Sequence, residues 1–522
     1  MASSQFSTSF LRPASRLTAF AFSAVVLTSC GGGGGSIGGT SIGLPASSTL
    51  AEQCAVPRTG VDPVTLQAYM DTQGSLATEK AYLRSWIDET YLWYQDVRAL
   101  PAATLNPTGY LTALDYFNAL KTPLTDAAGQ PKDKFHFTYD TTAWEQLSLN
   151  GVSYGYGFEV ALLAATPPRS AVVAYLDAPS GTPATANNIA RGAAIITIDG
   201  VDLANGSDVA TLNAGLFPTQ AGPHTFVIQD LGSSTTRTVT LQAQQITETP
   251  VQNVKTLNIG GAKVGYMLFN DHIATAELEL VNAITQLKNS NVTDLVLDIR
   301  YNGGGYLDIA SELAYMIAGP NVTIAATPPA FFERETFNDR NPFNFTTAQA
   351  TTPFHDHGQN FNNDVPTSQA LPVLGLPRVF VLTTADTCSA SEAIINGLRG
   401  AGVIVNQIGS TTCGKPYGFF PQDNCGTTYF AIQFQGVNNL GLGDYADGFV
   451  PPASCSVADD FSHALGDPSE SLLQVALGLR ANGACAPPSG QGTHILSANA
   501  SSTSTPVLVR NPFRENRILR NP

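Results

Sequence analysis

Two serines flank an alanine in the segment TCSASEAIINGLRG, residues 387–400, and the first of them lies where a nucleophile could be presented. The apolar, β-branched run at 379–385 predicts a buried strand, and apolar residues at helical spacing predict a helix after it. Ser389 then lies at the start of that helix, beside free backbone N–H groups and the positive end of the helix dipole. An ordinary helix cap is the alternative interpretation, since serine is a frequent N-cap residue.

A lysine between glycine and proline follows a second predicted strand in VIVNQIGSTTCGKPYGF, residues 403–419. Most lysines are solvated surface charges, and that is the alternative interpretation of Lys415. If the side chain is buried, its pKa falls and it can act as a general base.

A cluster of glycines lies between a predicted strand and a predicted helix in LVLDIRYNGGGYLDI, residues 295–309. Glycines in such a position permit unusual backbone dihedral angles and the close approach of another group. A phosphate site is disfavoured because the GxGxxG order is absent and no Lys-Ser/Thr pair follows. The remaining interpretation is an exposed N–H that stabilises an oxyanion.

Two predicted helices and a β-rich segment precede these motifs. Apolar side chains recur at helical spacing over 79–97, and a second helix is predicted over 109–121, which together suggest a helical domain at 76–150. Residues 151–245 are rich in glycine and in strand formers, and they end in a predicted hairpin.

The order of elements at 151–245 resembles a PDZ domain of the bacterial protease type. ARG at 190–192 and IDG at 198–200 match its strand-turn signature, and its carboxylate-binding loop would be Gly155, Tyr156, Gly157 and Phe158. The resemblance implies that the backbone N–H groups of this loop hold the C-terminus of a peptide. A generic small β domain, whose glycines only make turns, is the alternative.

The motifs DIRYNGGG, SASE and GSTTCGKP, in this order after a PDZ-like segment, resemble the carboxyl-terminal processing (tail-specific) serine protease family over about residues 76–485. The resemblance implies Ser389 as nucleophile, Lys415 as base, and the backbone N–H groups of Gly304 and Ala390 as the oxyanion hole. Ser391 would cap the helix. The implied fold is α/β and multidomain: a helical domain at 76–150, a PDZ-like domain at 151–245, a crotonase-like ββα Ser/Lys protease core at 246–485 and a tail at 486–522.

One departure from the family pattern concerns the lysine. Phe419 stands where many members carry a glutamine that orients this residue, and Gln422 or Gln433 would have to replace it.

A second departure concerns cysteine. Cys388 and Cys413 lie next to the two reactive segments, where the family pattern usually has no cysteine, so their joint appearance suggests a disulfide that ties the two loops together. A Cys413–Cys425 pair, which closes a short local loop, is the competing prediction.

Residues 1–30 resemble a bacterial lipoprotein signal. Arg12 and Arg16 precede a short apolar stretch, and the ending LTSC resembles a lipobox in which Cys30 is lipidated. Residues 1–29 would be removed, and 30–75 would hold the lipidated cysteine and a flexible, glycine-rich tether. Gly31 gives no inner-membrane retention signal, so we expect an outer-membrane anchor with the protein facing the periplasm.

Composition disfavours several classes of partner. The 522 residues carry a net charge of −15, which disfavours nucleic-acid binding. The even number of cysteines after Cys30 suggests disulfides in an exported chain, whereas no CxxC or Cys/His spacing suggests zinc. We therefore expect neither a metal nor a cofactor.

Three further features bear on the choice of catalytic residues and on the tail. His355 and His357 lie in a polar insertion at about 320–370, which is predicted to be a surface loop, and they are the conspicuous histidines for a Ser-His-Asp alternative. Cys388 is a poor thiol nucleophile where disulfides form. The tail ends in an arginine-containing stretch that either docks on the acidic body or is solvated; its arginines are Arg510, Arg514, Arg517 and Arg520.

These features predict a lipid-anchored envelope serine endopeptidase that cleaves unfolded or C-terminally recognised polypeptides through an acyl-enzyme. Its partners would be polypeptide C-termini and, through the lipid anchor alone, the membrane; the sequence leaves open whether an adaptor lipoprotein takes part. The alternative from another class is a catalytically inactive, PDZ-containing lipoprotein that serves as a peptide-binding scaffold, for which Phe419 is the best support.

Overall fold

The computed structural model describes residues 43–126, 129–488, 507–509 and 517–518. The chain divides into two compact units, Met1–Leu44 and Pro45–Pro522. Only residues 43 and 44 of the first unit are described, so the predicted signal segment and Cys30 lie outside the described residues. Among the helices of the described ranges, none is long and apolar enough to cross a membrane.

The elements of the second unit are as follows. The helices are α1 Leu76–Thr90, α2 Tyr94–Arg98, α3 Ala102–Leu105, α4 Ala113–Ala119, α5 Thr141–Asn150, α6 Pro183–Ala186, α7 Val209–Leu216, α8 Ala276–Asn289, α9 Leu307–Ala318, α10 Ala390–Gly400 and α11 Ser471–Asn482. The strands are β1 Gln53–Cys54, β2 Thr72–Gln73, β3 Phe137–Asp140, β4 Val152–Gly155, β5 Phe158–Ala164, β6 Ser170–Leu176, β7 Ala194–Ile198, β8 Val201–Asp202, β9 Gly222–Gln229, β10 Arg237–Thr247, β11 Val251–Ile259, β12 Ala262–Phe269, β13 Asp294–Asp298, β14 Gly305–Tyr306, β15 Phe331–Phe337, β16 Thr351–Pro353, β17 Arg378–Thr383, β18 Ile404–Gly409, β19 Tyr417–Gly418, β20 Gln422–Asn424, β21 Thr427–Phe430, β22 Phe434–Val437, β23 Val507–Val509 and β24 Arg517–Ile518.

A five-stranded sheet, in the order β11-β12-β13-β17-β18, positions the reactive segments. β11 runs antiparallel to β12, and the other neighbours are parallel. Alternate residues of a strand point to opposite faces: Leu297 and Val381 pack with α8, α9 and α10, whereas Val296 and Phe380 pack with α11. Because β13 and β17 are parallel neighbours, the glycine cluster and the serine loop that follow them meet at one edge of the sheet.

A second, antiparallel sheet is built from residues 152–247 together with β23 of residues 507–509, in the order β23-β5-β6-β7-β9-β10-β4 with β8 beside β7. It has its own apolar core, to which Val173, Ile195 and Phe226 contribute. The predicted hairpin is present as β9 and β10. The PDZ identity of this sheet stays a prediction.

The insertion at about 320–370 is more ordered than a surface loop, so that prediction is wrong. β15 and β16 lie within it and pair with each other, and β15 also pairs with β22. Phe332 and Phe354 are buried, with ring centroids 5.6 Å apart. Buried aromatic residues hold the segment in place. The sequence pattern did not predict this burial because asparagine, threonine and proline dominate the composition of the segment.

The N-terminal region differs from its prediction in two ways. The helix expected over 79–97 is two helices, because the backbone at Tyr91 is extended, with φ −63° and ψ 133°. Part of the expected tether is attached to the second unit: the Ser47 N–H donates to Glu89 at 2.8 Å, and Cys54 forms a disulfide with Cys425.

A further disulfide, near the end of the described core, joins Cys455 to Cys485.

Candidate active site

The loop after β17 presents Ser389 at the N-terminus of α10. Its backbone has φ 60° and ψ −113°, a region in which a residue other than glycine costs about 1–3 kcal/mol. Ser389 is fully buried, and among the described residues its Oγ has no hydrogen-bond partner. A strained turn with an unpartnered hydroxyl is typical of a reactive serine rather than a structural one.

The segment after β13 holds this loop. The Thr387 hydroxyl donates to the Ile299 carbonyl at 2.9 Å, and the Cys388 N–H donates to the Asn302 carbonyl at 3.0 Å. The Ser391 hydroxyl donates to the same Asn302 carbonyl at 3.0 Å. The capping role predicted for Ser391 is therefore wrong: Ser389 holds the N-cap position, and the second serine anchors the helix to the neighbouring loop.

Glu392, to which the sequence analysis gave no role, is the central acceptor of the site. Its buried carboxylate accepts the backbone N–H groups of Ser389 at 3.0 Å, Gly414 at 2.9 Å and Lys415 at 2.8 Å. The Thr412 hydroxyl also donates to it, at 2.5 Å. Burial raises the pKa of Glu392, and these donors oppose the shift. One carboxylate therefore fixes the backbone of both reactive segments.

Lys415 is fully buried against two aromatic rings. Its Nζ lies 4.6 Å from the ring centroid of Phe135 and 4.8 Å from that of Phe419. Burial favours the neutral amine of a lysine, whereas an aromatic face attracts the charged ammonium. Phe419, at the position of the expected glutamine, thus contacts the lysine through its ring. Gln433, one of the two proposed substitutes, accepts the Phe420 N–H at 2.6 Å.

The position of Lys415 depends on close packing of the preceding residue against the backbone at Ala446. The preceding residue, Gly414, has φ 81°, and a Cβ built on it would lie 2.1 Å from the Ala446 carbonyl oxygen. Only glycine permits this approach, which explains why the lysine follows a glycine.

A disulfide joins Cys388 to Cys413, with Cα atoms 5.2 Å apart, and this is the pairing expected from the two departures in sequence. The bond connects the residue before Ser389 to the segment that carries Lys415. Because Cys425 pairs with Cys54, the competing Cys413–Cys425 prediction is wrong.

The same disulfide bears on metal binding. The Cys388 and Cys413 sulfurs and a Glu392 oxygen lie within 4.8 Å of one another. Both sulfurs are bonded to each other, so neither is a thiolate that could ligate a metal or act as a nucleophile.

The two predicted oxyanion donors differ in their present partners. The Gly304 N–H donates to Asn302 Oδ1 at 2.9 Å, and Nδ1 of His272 lies 2.9 Å from the same oxygen. Burial lowers the pKa of His272 to about 3, so the ring is neutral. Ala390 is the first residue of α10, where the N–H has no carbonyl of its own helix to bind.

The predicted carboxylate loop lies between β4 and β5, beside a cavity of about 850 Å³. Gly155, Tyr156, Phe158 and Leu216 are among its lining residues. Gly157 connects Tyr156 to β5, and the Tyr156 hydroxyl donates to the Gly215 carbonyl at 2.8 Å. The cavity therefore combines apolar walls with a glycine-containing loop.

The two conspicuous histidines have carboxylate partners of their own. His355 Nε2 lies 3.0 Å from Asp308 Oδ1, and His357 Nδ1 lies 2.9 Å from Asp356 Oδ1. Neither contact includes Ser389, so the geometry does not favour a Ser-His-Asp arrangement.

A second buried polar group, which the sequence analysis did not identify, lies behind the glycine cluster. We call it the Arg300 cluster: Arg300, Asp298, Asp459 and Glu470. The Arg300 guanidinium is fully buried and donates to all three carboxylates at 2.7–3.0 Å. Arg191, which lies just before β7 of the second sheet, donates to Asp459 at 2.8 Å. Although burial alone would raise the pKa of Asp459, the two arginines hold it below its usual value.

The segment that contains Ser389 and Lys415 is similar to known proteins. Residues 263–421 match the profile of Peptidase family S41. This is a family of peptidases. The matched segment contains the glycine cluster, Ser389 and Lys415, and it ends between β19 and β20.

Two relatives of peptidase type match part of the chain. A carboxyl-terminal-processing protease of Picosynechococcus is 29% identical over 170 residues, which cover 32% of this chain and 39% of that protein. A chloroplastic C-terminal processing peptidase of Tetradesmus obliquus is 32% identical over 161 residues, covering 28% of this chain and 33% of that protein. The chain therefore spans well under half the length of these two relatives.

The architecture is shared more widely. A putative S41 protease from Bacteroides fragilis superimposes with a TM-score of 0.58 at 22% identity, over 77% of this chain and 97% of that one. This likeness extends the shared mixed α/β, multidomain fold beyond the S41 segment.

Proposed function

We propose that the protein is a serine endopeptidase in which Ser389 is the nucleophile and Lys415 the general base. The observation that carries the proposal is the joint placement of the two segments by Glu392, together with a Ser389 Oγ that has no hydrogen-bond partner among the described residues. The S41 match and the names of the two relatives support a peptidase role.

The reaction would proceed by acyl transfer. Because Ser389 Oγ has no hydrogen-bond partner among the described residues, Lys415 must first come within hydrogen-bond distance of it. Neutral Lys415 then takes the proton from the Oγ, which attacks the carbonyl carbon of the scissile peptide bond. The tetrahedral intermediate collapses as the lysine returns the proton to the leaving amine, and a water activated by the same lysine then hydrolyses the acyl-enzyme.

The developing oxyanion would be bound by the N–H groups of Ala390 and Gly304. A donor in this position is typically worth about 3 kcal/mol. Because the Gly304 N–H donates to Asn302 Oδ1 in this structure, substrate binding must exchange that acceptor for the oxyanion. Ser389 is also fully buried, so a polypeptide reaches it only after part of the structure moves aside.

The substrates would be unfolded polypeptides recognised through a C-terminus. The glycine-containing loop at 155–158 and its neighbouring cavity suit a terminal carboxylate and an apolar last side chain. The signal-like N-terminus supports a lipid-anchored protein of the cell envelope, attached through Cys30 to the outer membrane and facing the periplasm.

Degradation of an unfolded protein tests the proposal. Ser389→Ala should abolish cleavage, and a substrate with an amidated C-terminus should be cleaved more slowly than one with a free carboxylate. Ser85→Ala is a matched control, because Ser85 is also buried with a hydroxyl that lacks a partner among the described residues, but it lies in α1. Equal cleavage by Ser389→Ala and wild type would contradict the proposal, and cleavage by neither would favour the scaffold alternative.

A further inference from the structure

Two segments from the last part of the sequence pair with strands of the protein, one at the edge of the second sheet and one beside the short strand β14. β23 pairs antiparallel with β5, and Leu508 lies opposite Ala161. β24 pairs parallel with β14, and Arg517 lies opposite Gly305. We call these two described segments, Val507–Val509 and Arg517–Ile518, the tail. β23 adds a strand to the second sheet, which is how extended peptides commonly bind, and β24 forms a two-stranded sheet with β14.

The two edges are the two ends of the proposed substrate path. β5 begins at Phe158, the last residue of the predicted carboxylate loop. β14 begins at Gly305, directly after the predicted oxyanion donor Gly304. β24 also lies beside β19, which begins shortly after Lys415. The tail therefore contacts the elements next to both functional regions.

Leu508 makes the contacts that hold β23 in place. Its side chain is 4% exposed and belongs to the apolar cluster that contains Ala161, Tyr175 and Tyr301. Its backbone N–H donates to Asp386 Oδ2 at 3.0 Å, in the loop that leads to Ser389. A single tail residue thus connects the second sheet to the nucleophile loop.

The length of the chain between the two tail segments limits how far apart the edges lie. From Val509 to Arg517 the backbone can span at most about 28 Å. One extended polypeptide of about a dozen residues is therefore long enough to reach both edges.

We propose that the edges of β5 and β14 form one docking path for extended polypeptides, and that the tail occupies this path in cis. The consequence for activity rests on the proposed function. While the tail is in place, a substrate finds neither edge available for pairing, and the enzyme is held inactive until the tail is displaced.

The order in which the two tail segments meet β5 and β14 distinguishes the tail from a substrate. A polypeptide whose C-terminus is held at residues 155–158 reaches Ser389 with residues that precede that terminus. At β5 the tail runs toward Phe158, as a bound C-terminus would, with Val509 opposite Val160. Its later segment, however, lies at β14, where residues that precede a substrate's C-terminus would lie. It therefore competes for both edges without being presented as a substrate is.

Peptide binding in the Ser389→Ala chain tests the docking without requiring catalysis. The probe is a fluorescent synthetic peptide with the sequence of residues 503–522. If the tail occupies the path nine-tenths of the time, Leu508→Asp should increase the apparent affinity for this peptide about tenfold. Leu508→Ala should act in the same direction to a smaller extent. Leu111→Asp, the same change at a side chain that is 89% exposed, should leave binding unchanged.

Hydrogen exchange provides the second measurement. In Leu508→Asp, amides at 160–162 and 305–306 should exchange faster than in the parent chain, and the added peptide should protect both segments again. Unchanged affinity together with unchanged exchange at these amides would overturn the proposal.

Cleavage assays with intact Ser389 separate this inference from the proposed function. Faster casein cleavage by Leu508→Asp is the expected result. If no variant cleaves but the peptide result holds, the docking stands and the endopeptidase proposal fails. If wild type cleaves and Leu508→Asp neither binds the peptide more tightly nor cleaves faster, the docking fails and the endopeptidase proposal stands.

Discussion

The protein buries two polar clusters on neighbouring loops, and the clusters differ in how fully their polar atoms are hydrogen-bonded. In the Arg300 cluster, every N–H group of the guanidinium has a carboxylate acceptor: Nε and Nη2 donate to Asp298, Nη1 and Nη2 to Glu470, and Nη1 to Asp459. In the reactive cluster, which we define as Ser389, Glu392 and Lys415, the backbone is fixed by the carboxylate and the Ser389 Oγ is left without a partner among the described residues.

The difference shows how each cluster is used. A buried network whose members are all satisfied fixes geometry, and Arg191 extends it from the core to the second sheet. A buried hydroxyl without a partner contributes nothing to stability, and it is tolerated where chemistry requires it. The first cluster positions the loops, and the second does the chemistry that we propose.

The largest expected effect is at Lys415. Lys415→Ala should lower kcat/KM by about 10⁴-fold, because it removes the amine that we propose takes the proton from Ser389. Lys415→Arg should fail equally, since a guanidinium stays protonated and cannot act as a base. Peptide-bond cleavage measured with a quenched fluorogenic substrate checks both variants. Substantial cleavage by Lys415→Ala would contradict the role of Lys415 as base and would favour a histidine in that role.

Arg300 should matter for stability instead. Arg300→Met leaves Asp298, Asp459 and Glu470 buried without their cation, and we expect a loss of about 3–5 kcal/mol in the free energy of unfolding. The matched control is Arg237→Met, which breaks a half-exposed ion pair with Asp230 and should cost about 0–1 kcal/mol. Urea unfolding of the three chains measures the difference, and equal losses for the two variants would contradict the contrast.

The sequence predicted the elements of the core better than the clusters. The strands before the glycine cluster and Ser389, the helices after them and the Cys388–Cys413 pairing are present as expected. These predictions depend on local periodicity or on motifs with fixed spacing.

The clusters depend on contacts between distant positions. Glu470 and Asp459 contact Arg300 although they lie 170 and 159 residues later in the sequence, and no local sequence pattern predicts these contacts. The role of Glu392 was missed because its partners lie on a loop that approaches only in the folded chain. The SASE motif contained the residue, and the apolar face of the helix gave no reason to bury a carboxylate there.

Glu392 should act by positioning. Glu392→Gln places an amide group among backbone donors, and the displaced segments should lower kcat about 10²-fold. KM should change little, because the carboxylate does not contact the proposed peptide path. A fall in stability of the same size as that of Arg300→Met, with kcat unchanged in the folded fraction, would assign Glu392 to the structural cluster.

A smaller, pH-dependent effect is expected at His272. Its pKa is about 3 in the folded protein, below the usual value of 6.5. The unfolded chain therefore binds a proton first, and stability is lost as pH falls below about 6.5, by about 1.4 kcal/mol per pH unit. Between pH 6.5 and about 5, wild type should lose more stability than His272→Gln. If the free energies of unfolding of the two chains changed equally with pH, the His272 ring would not be held neutral in the folded protein.

The central claim is that Ser389 is placed for reaction and not for stability, and one measurement on Ser389→Ala tests it directly. Cleavage rate and free energy of unfolding should be determined on the same preparation, beside Ser391→Ala, which loses the hydrogen bond to the Asn302 carbonyl. We predict that Ser389→Ala loses cleavage by about 10⁴-fold or more with no loss of stability. Ser391→Ala should be destabilised by about 1 kcal/mol. A Ser389→Ala chain that still cleaves, or that loses stability as Ser391→Ala does, would contradict the account.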